Sequence, residues 1–144
     1  MGKKVAIGCD HAGFALKEAV KRHLMDNGFE VLDEGTFSEE SCHYPSFARS
    51  VAEKVAKGGA EWGVLICGTG LGMAMAANRN KKVRAALCPS IFHARMARRH
   101  NDANVLCLGG RITGEDLALA IVDEFFSTKF EGGRHKERID MFCD

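Results

Sequence analysis

No C-x-x-C pair occurs in this 144-residue chain, whose six cysteines fall at 9, 42, 67, 88, 107 and 143. Spacing that wide excludes zinc ribbons and disulfide-dense small scaffolds, and free thiols in a reducing compartment become the expectation. A long apolar run is missing too: the opening MGKKVAIGCDHAG carries a short one, which Cys9-Asp10-His11 interrupts. It is too short for a signal h-region or a membrane span, so a cytoplasmic protein with no membrane partner is expected. Charge excess is also absent. The 20 Lys and Arg against 19 Asp and Glu leave a net +1, which points to no nucleic-acid partner. There is no internal repeat, linker or low-complexity stretch. A chain of this length is most economically one domain, residues 1–144, that buries roughly two-thirds of its unfolded surface.

Five short β-rich runs alternate with helical patterns: 4–9, 29–33, 63–67, 83–88 and 104–108. That alternation predicts a five-stranded parallel sheet covered on both faces, a three-layer α/β/α Rossmann-like sandwich. The first helix places Leu16, Ala19, Val20, His23 (by its stem) and Leu24 on one stripe and stops near Asn27-Gly28. A second starts at Pro45, suited to the first helical turn, and turns Phe47, Ala48, Val51, Ala52 and Val55 inward before Gly58-Gly59. Helices are expected over roughly 71–80 and 91–100. Another follows the capping-box-like Thr113 to Asp116 and packs Leu117, Ala118, Ile121, Val122 and Phe125. A short one begins at about Arg134.

Ligands of open parallel sheets sit outside the carboxyl ends of the strands. At one such end Cys67 is followed by Gly68-Thr69-Gly70-Leu71-Gly72 and then a helix. A thiolate is favoured near a helix start, and the glycines let successive amides converge into an oxyanion nest. Thr69 adds a hydroxyl that can give or take a proton. Met73 stands where a third glycine of G-x-G-x-x-G would be, and no Gly-Lys-Ser/Thr follows, which weakens dinucleotide and nucleotide binding. The alternative for Cys67 is a small buried apolar residue.

Asp10 precedes His11 after the first strand, where a carboxylate can orient an imidazole, and His100-Asn101 stand just before the fifth strand. Arg111, Arg134 and Arg138, gathered at one strand end, suit a phosphate monoester; Arg134 and Arg138 share a helix face at i, i+4. Arg95, Arg98 and Arg99 read as a solvated helix face. A small anionic substrate, a proton-transfer centre and an oxyanion nest, with neither metal nor organic cofactor, fit proton abstraction next to a carbonyl. A non-catalytic sugar-phosphate or nucleotide-binding module and a dinucleotide-dependent oxidoreductase are the rival readings.

The motifs GCDHAGF (8–14), YP (44–45), ICGTGLGM (66–73), AAN (76–78), RHNDANVLCLGGR (99–111) and EGGRHKER (131–138) resemble the type B ribose-5-phosphate isomerases over essentially the whole chain. That family also contains galactose-6-phosphate and allose-6-phosphate isomerases. The resemblance implies cofactor-free aldose–ketose isomerisation, with Cys67 as the base that moves a proton through a cis-enediolate. His100 would open the furanose ring, Asp10 would assist from the ring-oxygen side, and Thr69 would move protons between the two oxygens. Gly68, Gly70, Leu71 and Gly72 would hold the enediolate by their backbone, with Tyr44 beside the substrate. His11, Arg111, Arg134 and Arg138 would hold the phosphate and Asn101 a sugar oxygen. A homodimer or dimer of dimers with shared active sites is implied, and Met73, Met75, Phe92 and Met96 are interface candidates. The family usually shows Asp-Tyr-Pro where this chain has Cys42-His43-Tyr44-Pro45, as in one galactose-6-phosphate isomerase subunit. Those subunits generally lack His100 and the Gly-Gly-Arg-His ending kept here, so ribose 5-phosphate is the expected substrate and another aldose phosphate the alternative.

Overall fold

The computed structural model describes residues 3–142; Cys143 lies outside them. Strands β1 (Lys4–Cys9), β2 (Glu30–Asp33), β3 (Trp62–Cys67), β4 (Ala85–Leu87) and β5 (Val105–Gly109) form one parallel sheet in the order β2-β1-β3-β5-β4. Helices α1 (Phe14–Asp26), α2 (Tyr44–Ala56), α3 (Leu71–Ala77), α4 (Ile91–Asn101), α5 (Glu115–Ser127) and α6 (Arg134–Asp140) surround it. Alternate residues of each central strand face opposite layers. Val5, Ile7, Val64, Ile66, Leu106 and Leu108 pack against α1, α4 and α5, while Ala6, Leu65, Val105 and Cys107 meet α2 and α3. Both faces are buried, which is why these strands read as near-continuous apolar runs.

After β1 the chain turns towards β2, and after β3 it turns the other way, to β4 and β5. The reversal opens a crevice at the carboxyl ends of β1 and β3, the usual ligand position in such sheets. Asp10 and Cys67 flank it: the Asp10 amide donates to Ile66 O at 3.1 Å, and Cys67 is paired with Gly109.

Some local expectations are corrected. The N-cap of α5 is Gly114, with no side-chain capping bond, so Thr113 is buried rather than capping. Leu117 is 42% exposed because it falls off the inward stripe of α5. Met73 is wholly buried between α3 and the sheet, which removes it from any interface; Met75 and Phe92 are exposed. Helix α3 ends at Ala77 because the Asn78 side chain turns to β4, accepting from Ala85 N at 2.7 Å and donating to Ala85 O at 2.9 Å. Arg98 is not solvated: its guanidinium lies 4.4 Å above the Trp62 ring and is buried.

Candidate active site

Cys67 ends β3 with its sulfur buried, and the Gly70 amide donates to Sγ at 3.1 Å. That contact depends on Gly70, which adopts φ +83°, and a Cβ there would stand 2.5 Å from Leu87 Cδ1. The loop therefore aims a backbone donor at the sulfur. Burial pushes the thiols of Cys9 and Cys88 up to about 12 and raises that of Cys107 as well. Those three stay protonated and inert near neutral pH.

Around Cys67 the loop continues with Thr69, exposed, whose hydroxyl accepts from the Leu71 amide at 3.3 Å. Leu71 itself is exposed. Gly72 lies under the Tyr44 ring, where an added Cβ would be 2.5 Å from the ring carbons, so the tyrosine rests on the first turn of α3. Arg111 follows β5, donates its amide to Gly68 O at 3.0 Å and lays its side chain along Gly68.

Asp10 differs from expectation in its partner. Its Oδ1 accepts from the Ala12 and Gly13 amides at 3.0 and 3.1 Å, capping a short 3-10 turn instead of orienting His11. His11 is held by the next loop: the Cys42 amide donates to Nδ1 at 3.2 Å. An accepting Nδ1 places the ring proton on Nε2, so the imidazole has a donor left for an anion. The loop that carries Cys42 is tied down by wholly buried Lys17, which donates to both Asp33 oxygens at 2.8 Å and to Thr36 O at 2.7 Å. Burial alone would raise the Asp33 carboxyl, but Lys17, the Gly35 amide and Lys21 outweigh it and hold the group below the usual carboxylate range.

His100 and Asn101 end α4, at the entry to β5, and so stand at the other end of the sheet. Arg134 and Arg138 lie exposed on α6, which packs on α4. The expected cluster of arginines at one strand end is thus divided: Arg111 sits with Cys67, while Arg134 and Arg138 sit with His100. Five residues of β5 separate the two ends, about 17 Å at strand rise. Near Asn101 a cleft of about 420 Å³ is lined by Asn78, Arg84, Ala103, Ile139 and Phe142 among others.

The His100 ring stacks on His135, centroids 4.1 Å apart and planes 10° apart. His135 is buried, 3.4 Å from Glu131 Oε1, and its pKa is lowered by burial and by neighbouring His100, against the pull of Glu131. One ligand atom from each of His100, Glu131 and His135 falls within 4.8 Å of the others. Parallel rings direct their in-plane lone pairs past one another, so one ion could be held by both only if a ring turned. His135 and Glu131 both lie inside the EGGRHKER motif, the one signal for them in the sequence; nothing local announces the contact of Cys42 with His11.

The Ribose/Galactose Isomerase family profile matches residues 5–142. This chain belongs to that family. The isomerase is 47% identical over 138 residues to ribose-5-phosphate isomerase B of Escherichia coli, covering 96% of this chain and 93% of that protein. It superimposes on a ribose 5-phosphate isomerase of Thermotoga maritima with a TM-score of 0.96 at 52% identity, covering 99% of this chain and 98% of the other. The Mycoplasma genitalium ribose-5-phosphate isomerase B, solved with bound ribulose-5-phosphate, matches at TM-score 0.92 and 45% identity, covering 96% and 92% of the two chains. The enzyme is a sugar-phosphate isomerase. No helix among its described residues is long and apolar enough to cross a membrane.

Proposed function

We propose that this isomerase converts D-ribose 5-phosphate to D-ribulose 5-phosphate with Cys67 as the base. The observation that carries the reading is the Gly70 amide on Cys67 Sγ, at the crevice between β1 and β3. The thiolate takes the proton from C2 of the open-chain aldose, and the C–H electrons form the C1–C2 double bond of a cis-enediolate. The same group returns the proton to C1, while Thr69 shifts a proton from O2 to O1. Amides from Gly68 to Gly72 stabilise the oxyanion; one such donor typically contributes about 10²–10³ in rate.

Ring opening falls to His100, with Asp10 on the ring-oxygen side, and Asn101 binds a sugar oxygen. Tyr44 borders the substrate, and His11, Arg111, Arg134 and Arg138 hold the phosphate. Because these groups are divided between the two ends of the sheet, each site is built from two copies, the Cys67 end of one meeting the His100 end of the other. The exposed Met75 and Phe92, with half-buried Met96, supply apolar surface for that pairing in a homodimer or dimer of dimers. The chemistry asks for no metal and no organic cofactor, and a cytoplasmic location suits it.

A second reading, another aldose phosphate as substrate, is favoured by His43: it caps α2 by backbone only, which leaves its ring available beside Tyr44. Turnover of ribose 5-phosphate, allose 6-phosphate, galactose 6-phosphate and a tetrose phosphate, run beside Cys67→Ala, tests both. Ribose 5-phosphate preference lost in the variant supports the first reading. Activity confined to another sugar selects the second, and binding without turnover of any sugar would indicate a non-catalytic module.

A further inference from the structure

The turn that follows His100 and Asn101 is held more tightly than a helix end requires. Asp102 caps α4 in the left-handed region, φ 44° and ψ 45°, a position that usually goes to glycine or asparagine. An aspartate there accepts strain that its carboxylate must offset. The carboxylate bridges two guanidiniums: Arg98 Nη1 donates to Oδ1 at 2.9 Å and Arg84 Nη2 to Oδ2 at 3.3 Å. Arg84 Nε also donates to Asn101 O at 3.1 Å and Asp102 O at 3.0 Å, so it grips the backbone of the turn itself.

Neither arginine is free to drift. Arg98 is buried on Trp62 and reaches Ala103 O at 2.6 Å and Thr128 O at 3.3 Å. Arg84 is fixed through its backbone, donating to Asn104 Oδ1 at 2.7 Å and accepting from the Asn104 amide at 3.0 Å. The clamp therefore ties the turn to the core on one side and to the β4–β5 edge on the other.

We propose that Asp102, held between Arg84 and Arg98, is a positioning residue for ring opening: it fixes the His100–Asn101 turn where those side chains meet a sugar bound at another copy's Cys67. The inference rests on the reading of His100 given above. A turn that must reach across to another subunit gains most from such preorganisation, because small misplacements of a catalytic group cost rate steeply.

The test uses the full-length enzyme and two readouts at saturating substrate. Ribose 5-phosphate is cyclic and needs ring opening. Ribulose 5-phosphate carries its phosphate on O5 and cannot close to a furanose, so exchange of its C1 hydrogen with deuterated water reports proton transfer alone. Asp102→Gly tolerates the left-handed backbone and deletes the carboxylate. It is expected to lower ribose 5-phosphate turnover about 10- to 100-fold while C1 exchange stays at the wild-type rate. Asp102→Asn, which keeps an acceptor, is expected to recover part of the loss, and it decides the matter if the glycine variant melts far below the wild type. Wild-type turnover in Asp102→Gly, or a parallel fall in both readouts, overturns the proposal. Cys67→Ala run alongside should lose both; retained exchange there refutes the thiol base, while the Asp102→Gly ratio still decides the clamp.

Discussion

Cys67 and His100 stand at opposite ends of the central sheet of one chain, Cys67 closing β3 and His100 just ahead of β5. If each site joins the Cys67 end of one copy to the His100 end of another, Cys67→Ala and His100→Ala are each inactive alone yet complement one another. In an equal co-refolded mixture half the dimers are mixed, and each mixed dimer carries one intact site, so about a quarter of wild-type turnover returns. No recovery would mean that one chain supplies both groups.

The strand ends and the Cys67 loop were legible in the sequence because β-rich runs and glycine spacing are local signals. The division of the site was not. Arg111 and Arg134 both follow β5 in the chain, yet α5 carries the chain back across the sheet before α6 begins, and only the topology reveals that return. Buried cations were equally hidden. Arg98 sits among other arginines and reads as solvated, and the Trp62 ring that covers it lies on a distant strand. Lys17 falls on the inward stripe of α1, where periodicity marks the face but cannot show that Asp33 waits there.

Gly70→Ala tests the amide on the thiol. The positive φ and the 2.5 Å approach to Leu87 Cδ1 force the loop to move, and the Gly70 amide leaves Cys67 Sγ. Turnover should fall about 10²-fold or more, the scale of one lost preorganised hydrogen-bond donor at a reacting group. The melting temperature would fall with it, whereas Thr69→Val, which gives up the hydroxyl's 3.3 Å bond from the Leu71 amide but forces no change of φ, should lower turnover with a smaller thermal shift.

Alkylation by iodoacetamide at pH 7.5, followed peptide by peptide in a mass spectrometer, should sort the thiols. Cys9 and Cys88, pushed up to about 12, and Cys107, raised further, stay unmodified in folded protein. Cys67 reacts, and ribose 5-phosphate slows it. Labelling of Cys67 no faster than Cys88 would count against a thiolate base.

Acid stability should track Asp33. Its folded pKa lies below the unfolded value near 4, so the native state is favoured fully above that value and loses the contribution as pH falls through the folded pKa. Asp33→Asn should therefore flatten the acid limb of a melting-temperature profile. At neutral pH, Asp33→Ala leaves the wholly buried Lys17 ammonium with only the partly exposed Glu18 carboxylate, at 3.4 Å, as counter-charge, and should cost up to about 3–5 kcal/mol in denaturant unfolding. Lys17→Met, which removes the buried charge and keeps much of the stem's volume, should cost less, because half-exposed Lys21 remains to neutralise Asp33 at 3.0 Å. The same variant removes one of the ties on the loop at Thr36 that carries Cys42 to His11, leaving its backbone bonds to Cys9, so its KM for ribose 5-phosphate should rise even where its stability holds. Equal losses in Asp33→Ala and Lys17→Met would show that the pair, rather than the stranded charge, sets the stability.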